Sequence, residues 1–216
     1  MVVSAYDGGM LGRGRDGSPE VAFVGPYWAS RDNNNGGPID SSDLEYNSYH
    51  KFDLSGVSGE VASAELVLYL PADGWDNAST GADPLVVAMY DVVESLDSFG
   101  FDFDSATVVP FSDAVYSDLE GGTIYASSSI TNSDEDSLIS FPFNAAGVAA
   151  INAARGGDIA FGGHIALGGL GSVSLTEIDP DIVFANTGTL EQDPRFGLFG
   201  TRELHLTFVP ESTSTI

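Results

Sequence analysis

Along this chain short apolar runs alternate with polar positions, and clusters of Gly, Pro, Asn, Asp and Ser separate one run from the next. The clearest alternation is Ala62–Leu70: Ala64, Leu66, Leu68 and Leu70 fall on one face of an extended chain, and Glu65, Val67 and Tyr69 on the other. A period of two places successive side chains on opposite sides of a sheet, so this stretch predicts a strand with one aliphatic face. Pro71, which lacks an N–H, ends it.

The same reading predicts strands at Val21–Trp28, Tyr46–Leu54, Leu85–Val92, Thr123–Ile130, Leu138–Phe143, Asp158–Leu167, Asp181–Ala185 and Arg202–Val209. In Tyr46–Leu54 neither alternating set is cleanly apolar before Phe52, so that strand is expected to enter the core late. One segment breaks the pattern: Asn144 is placed to cap a helix carrying Ala145, Val148, Ala149, Ile151 and Asn152, and Gly156-Gly157 is placed to end it. The stretch from Asp113 to Gly122 fits neither period. The expected fold is all-β: an antiparallel two-sheet β-sandwich, jelly-roll-like, with one short helix near 144–155. Residues 1–210 are expected to form one sandwich domain and residues 211–216 a disordered polar tail.

Composition narrows the chemistry. Among 216 residues there is no cysteine, so disulfides, thiolate metal sites and cysteine nucleophiles are excluded. The 32 acidic residues against seven basic ones give a formal net charge of −25. The six arginines are scattered and Lys51 is the single lysine, the opposite of the clustered basic surface that nucleic acid or an anionic membrane requires. No run approaches the roughly 18 apolar residues that span a bilayer, and Met1-Val2-Val3-Ser4 does not begin a signal segment, so the chain reads as soluble and already trimmed.

The run from Tyr49 to Val57, which contains Lys51-Phe52-Asp53-Leu54-Ser55, is followed by Ser63-Ala64-Glu65-Leu66-Val67-Leu68-Tyr69. This pair of strands resembles the disaggregatase-related (DNRLRE) domain of bacterial and archaeal surface proteins. Phe143 to Ala154, continuing to Phe161-Gly162-Gly163, is similar to exported bacterial proteins with a Pro-Glu-Pro sorting tail; Val209-Pro210-Glu211 matches that tail, but Ser212 stands where its second proline belongs. The resemblance covers about residues 46–70 and 138–165. It implies a secreted, carbohydrate-binding-like sandwich at the cell surface and carries over no catalytic residue.

Two kinds of binding chemistry have candidates. Asp32, Asn34, Asp40 and Asp43 stand at positions 1, 3, 9 and 12 of an oxygen-rich loop, the spacing at which one loop surrounds Ca2+. Gly36 occupies position 5 and Asp43 replaces the usual closing Glu, so a solvated acidic turn is the competing reading. The acidic turns Asp102/Asp104, Asp134/Glu135/Asp136 and Asp179/Asp181 read as solvated loops. Trp75, Trp28, Tyr27 and Tyr49 lie beside turns, where an aromatic face can stack on a sugar ring; the competing reading is core filling. His50, His164 and His205 each stand singly, without a His-Glu-x-x-His or Gly-x-Ser-x-Gly setting, and read as satisfied or surface histidines. The Gly8–Gly14 and Gly162–Gly171 stretches read as turns and tight strand packing. The chain is therefore expected to be non-catalytic, extracellular, and a binder of polysaccharide with Ca2+ as a stabilising ion. The alternative is a structural subunit that pairs with copies of itself through an edge strand such as Arg202–Val209.

Overall fold

A computed structural model describes residues 1–14, 19–23, 44–70, 75–76, 84–94, 113–165, 181–182 and 202–210. Its strands are β1 (Val2–Ser4), β2 (Asp7–Gly14), β3 (Pro19–Phe23), β4 (Leu44–Asp53), β5 (Val61–Leu70), β6 (Trp75–Asp76), β7 (Leu85–Asp91), β8 (Ile124–Ile130), β9 (Ser137–Pro142), β10 (Asp158–Ile165), β11 (Asp181–Ile182) and β12 (Arg202–Phe208). Two helices, α1 (Asp113–Asp118) and α2 (Ala145–Ala153), precede β8 and β10.

The strands form a four-stranded sheet, β1-β12-β5-β9, a six-stranded sheet, β3-β2-β4-β10-β7-β8, and a separate pair, β11-β6. Every pairing is antiparallel. With the β2–β3 hairpin set aside, eight strands remain in two sheets of four, and the chain passes from one sheet to the other between β1 and β4, β4 and β5, β5 and β7, β8 and β9, β9 and β10, and β10 and β12. That is the order of a jelly roll. β2 and β3 extend it beyond β4.

The alternation in β5 decides how the sheets meet. Ala64, Leu66, Leu68 and Leu70 are buried and join one core with Phe141 and Leu204 of their own sheet and Phe52, Val87, Met89 and Phe161 of the other. Each fully buried side chain of this size contributes about 1.5–3 kcal/mol of transfer free energy. Phe161 sits at the centre, its ring 4.7 Å from that of Phe143 and 5.9 Å from that of Phe52. At one lateral edge Phe143 bridges to Ala126, and Phe143 N–H donates to Ala64 O at 2.9 Å, so β8 and β9 are tied together across the sheets. At the other the chain runs directly from β1 to β2: Ala5 N–H donates to Arg202 O at 3.0 Å, and Tyr6 N–H to Lys51 O at 3.1 Å.

α2 forms as its residues dictate. Asn144 Oδ1 accepts from Gly147 N–H at 3.0 Å, the expected N-cap, and Gly156, at φ +85°, follows the last turn. Asn152 then clips the helix to the start of β5, bonding both the N–H and the carbonyl of Val61 at 2.9 Å.

Several expectations need correction. The strand β12 is not an edge: it lies between β1 and β5, so its backbone groups are already used. Gly8–Gly14 forms most of β2 rather than turns, because glycine can lie in a strand where neighbours on both sides supply the ladder. β4 does not enter the core late; Asn47 through Phe52 are all buried, since one face looks across the sandwich and the other is roofed by α1 and the turn after it. That roof is a second helix, in the stretch that fitted neither period. The tail 211–216, and the continuation of Val21–Trp28 beyond Phe23, lie outside the described residues.

Candidate ligand-binding face

Antiparallel registry fixes which side chains share the outer face of the six-stranded sheet. Tyr49 pairs with Gly162 and Gly162 with Tyr90, so these positions, with Asn47 and Lys51 on β4 and His164 on β10, point away from the sandwich interior. On this face Tyr49, Val115, Tyr116 and Leu119 form a second, smaller apolar cluster. The close fit depends on Gly162. A Cβ there would lie 2.5 Å from Leu119 Cα and 2.6 Å from Leu119 O, backbone atoms that cannot step aside. The expectation of tight packing at this glycine was correct.

Beside that cluster three polar side chains converge from three separate segments. Asn47 is wholly buried; its Nδ2 donates to Glu120 Oε2 at 3.1 Å, and its Oδ1 lies 2.7 Å from His164 Nδ1. Glu120 Oε2 is 3.9 Å from the same imidazole nitrogen. The His164 and Glu120 side chains keep 17% and 23% of their surface exposed, so the set opens to solvent on one side. The carboxylate can only accept, which fixes the Asn47 amide with its nitrogen toward Glu120 and its oxygen toward His164. His164 therefore carries its proton on Nδ1. Tyr90, on the same face, has its phenol pushed up by burial and then by the Glu120 charge, so its hydroxyl stays protonated.

The outer face of the four-stranded sheet is built differently. His205 Nε2 is 2.9 Å from Glu203 Oε2, and its Nδ1 is 3.6 Å from Glu65 Oε1, while Ser140 Oγ donates to Glu65. The ring stands between two carboxylates, with Nε2 hydrogen-bonded to Glu203 and Nδ1 facing Glu65 at ion-pair distance. Tyr69 lies on this face too; its hydroxyl donates to Asp136 Oδ1 at 2.5 Å, which raises the phenol to about 12.

The sequence candidates fare unevenly. Tyr49 is a correction: its ring is fully buried under α1, with Lys51 Nζ 5.8 Å from its centroid, and it offers no face to a sugar. A tyrosine on the second face of a central strand is available for stacking only where nothing roofs that face, and here a helix does. Trp75 lies in the two-residue β6, its backbone paired with Ile182; its ring is outside the described residues. Trp28, Tyr27, Asp32, Asn34, Asp40 and Asp43 are also outside them. Among the described residues no group of three or more His, Asp or Glu side chains is arranged to hold a metal ion. Asp134 instead caps its own turn, accepting from Thr131 N–H at 2.7 Å and Thr131 Oγ1 at 2.8 Å. His50 is not on the surface: it is buried, and its Nδ1 has no hydrogen-bond partner among the described residues.

Asn47 and Glu120 do not stand out in the sequence, and His164 reads there as a satisfied or surface histidine. The signal was weak: a polar-aromatic alternation Asn47, Tyr49, Lys51, and a histidine two positions beyond a glycine that a helix needs. No protein-family model matches the chain, and no curated protein matches it in sequence.

Proposed function

We propose that this chain is a non-catalytic module of the cell surface that binds neutral polysaccharide on the outer face of its six-stranded sheet. The observation that carries this reading is the Asn47–His164–Glu120 set, which His164 and Glu120 leave partly open to solvent. Amide, imidazole and carboxylate held beside one another by hydrogen bonds suit the mixed donors and acceptors of a sugar's hydroxyls.

Two further facts support it. The space between the sheets is filled by Phe52, Phe141, Phe161, Leu66 and Leu68, which leaves ligand recognition to outer surfaces and loops. A net charge of −25 repels acidic polymers and leaves uncharged glycans as the favoured class. In this reading Trp75, Trp28 and Tyr27 supply stacking rings, Asp32, Asn34, Asp40 and Asp43 hold a stabilising Ca2+, and the disaggregatase-related domains are the kin. Assembly into filaments through β12 has lost its strand to β1.

Affinity electrophoresis through gels containing neutral or acidic polysaccharides tests the proposal. Retardation is expected in at least one neutral gel and none in the acidic ones, with His164→Ala and Glu120→Gln each weakening it at least tenfold. Unchanged mobility in every neutral gel, or full retardation of both variants, rules the site out.

A further inference from the structure

His50 is the one buried histidine that the binding reading leaves without a use. It lies on the inner face of β4, between Gly8 of β2 and Phe161 of β10, and is 3% exposed. Its Nε2 is 3.5 Å from Ser48 Oγ, at the far limit of a hydrogen bond, and its Nδ1 has no partner among the described residues. Across the sandwich stands Arg202, the first residue of β12. It pairs with the buried Leu68, so its side chain also enters the interior, where it is 6% exposed.

The charged and titratable groups around His50 are few among the described residues. Arg202 faces it from the opposite sheet; Gly8 and Phe161, its neighbours on β2 and β10, carry no charge. Lys51 and Asp53 on its own strand alternate to the other face, and Glu65, Glu203 and His205 lie on the outer face of the four-stranded sheet. A proton on His50 would therefore place a second positive charge beside Arg202 at a buried position where, among the described residues, the Ser48 hydroxyl at 3.5 Å is the one polar atom at the ring.

The same place is one lateral edge of the sandwich. Here the three-residue edge strand β1 crosses to β2, held by Ala5 N–H to Arg202 O and Tyr6 N–H to Lys51 O, and Tyr6 is exposed. We propose that His50 and Arg202 form an acid-sensitive latch, and that protonating His50 frees the β1–β2 crossing from β12 and β4 while the β5–β9 half of the sandwich stays closed. The proposal is independent of the carbohydrate site on the opposite face.

Burial, and then the Arg202 charge, lower His50 from 6.5 to about 3. The opened state binds the proton near 6.5 and the closed state near 3, so the closed form is fully favoured above 6.5 and loses ground as pH falls. Opening should become about a hundredfold more frequent at pH 4.5 than at pH 7.5.

Amide hydrogen exchange on the full chain at these two pH values, corrected for intrinsic rates, tests the latch. The Ala5, Tyr6 and Leu206 amides should lose about a hundredfold protection while those of Leu66 and Leu68 hold theirs. His50→Asn should abolish the difference. Should that variant not fold, Arg202→Gln should shrink the pH effect by removing the neighbouring charge. Equal loss across both halves of the sandwich, no loss at pH 4.5, or an Arg202→Gln response as steep as that of the unaltered protein would overturn the proposal.

Discussion

Single side chains carry most of what is specific to this molecule. Gly162 is one: any Cβ meets the Leu119 backbone, so Gly162→Ala must push α1 off the sheet. The expected cost is about 1–3 kcal/mol, read as a lowered urea midpoint. A cost near zero would mean that α1 is not seated on β10. His50 is another. The gap between 6.5 and about 3 corresponds to roughly 4–5 kcal/mol of stability, present above pH 6.5 and lost as pH falls toward 3. Urea unfolding at pH 7 and pH 4.5 should show a drop that His50→Asn removes. Tight packing at Gly162 is legible in the sequence but the partner it packs against is not, and neither is the burial of His50. Gly162 reads there as a residue in a glycine-rich strand, and nothing local says that a helix 40 residues earlier lies on it. The burial of His50 depends on which sheet faces β4, a long-range fact.

Elements were more legible than their neighbours. The β5 strand was plain because its aliphatic face is uninterrupted, and α2 because Asn144 and Gly156 punctuate it at both ends. Asn144 contributes twice, capping Gly147 and donating through Nδ2 to Ile124 O at 2.7 Å. Asn144→Ala should therefore cost about 1–2 kcal/mol, at the upper end for a lost cap, in thermal or urea unfolding. What stayed hidden were elements whose identity depends on contact. β2 is made of Asp, Gly, Met, Leu and Arg with no alternation and becomes a strand because β3 and β4 flank it. α1 is six residues long and is held by packing Val115 and Tyr116 against Tyr49, with Asp118 Oδ2 accepting from Val93 and Glu94 N–H at 2.8 and 2.9 Å. The candidate site was hidden for the same reason. Asn47, Glu120 and His164 are over 40 residues apart along the chain and meet only when β10 docks on β4 and α1 closes above them.

At the scale of the molecule, a jelly roll places its sugar-binding candidates on outer surfaces, because two facing sheets use the interior for stability. The acidic excess acts on the whole fold: carboxylates repel one another unless ions screen them, over a distance of about 10 Å at 0.1 M salt. The melting temperature should rise with sodium chloride from low to near-molar concentration, and a flat response in scanning calorimetry would contradict this electrostatic account. On the proposed reading, charge and fold together direct recognition to uncharged ligands at the Asn47–His164–Glu120 set.

The most direct test is to titrate the isotope-labelled protein with a neutral oligosaccharide that the gels identify, following backbone and side-chain resonances. The account predicts saturable shifts centred on the Asn47 side-chain amide, His164 and the Glu120 segment, with Ser140 and Glu203 on the far sheet unmoved. Shifts confined to the far sheet, or none at saturating sugar, would contradict it.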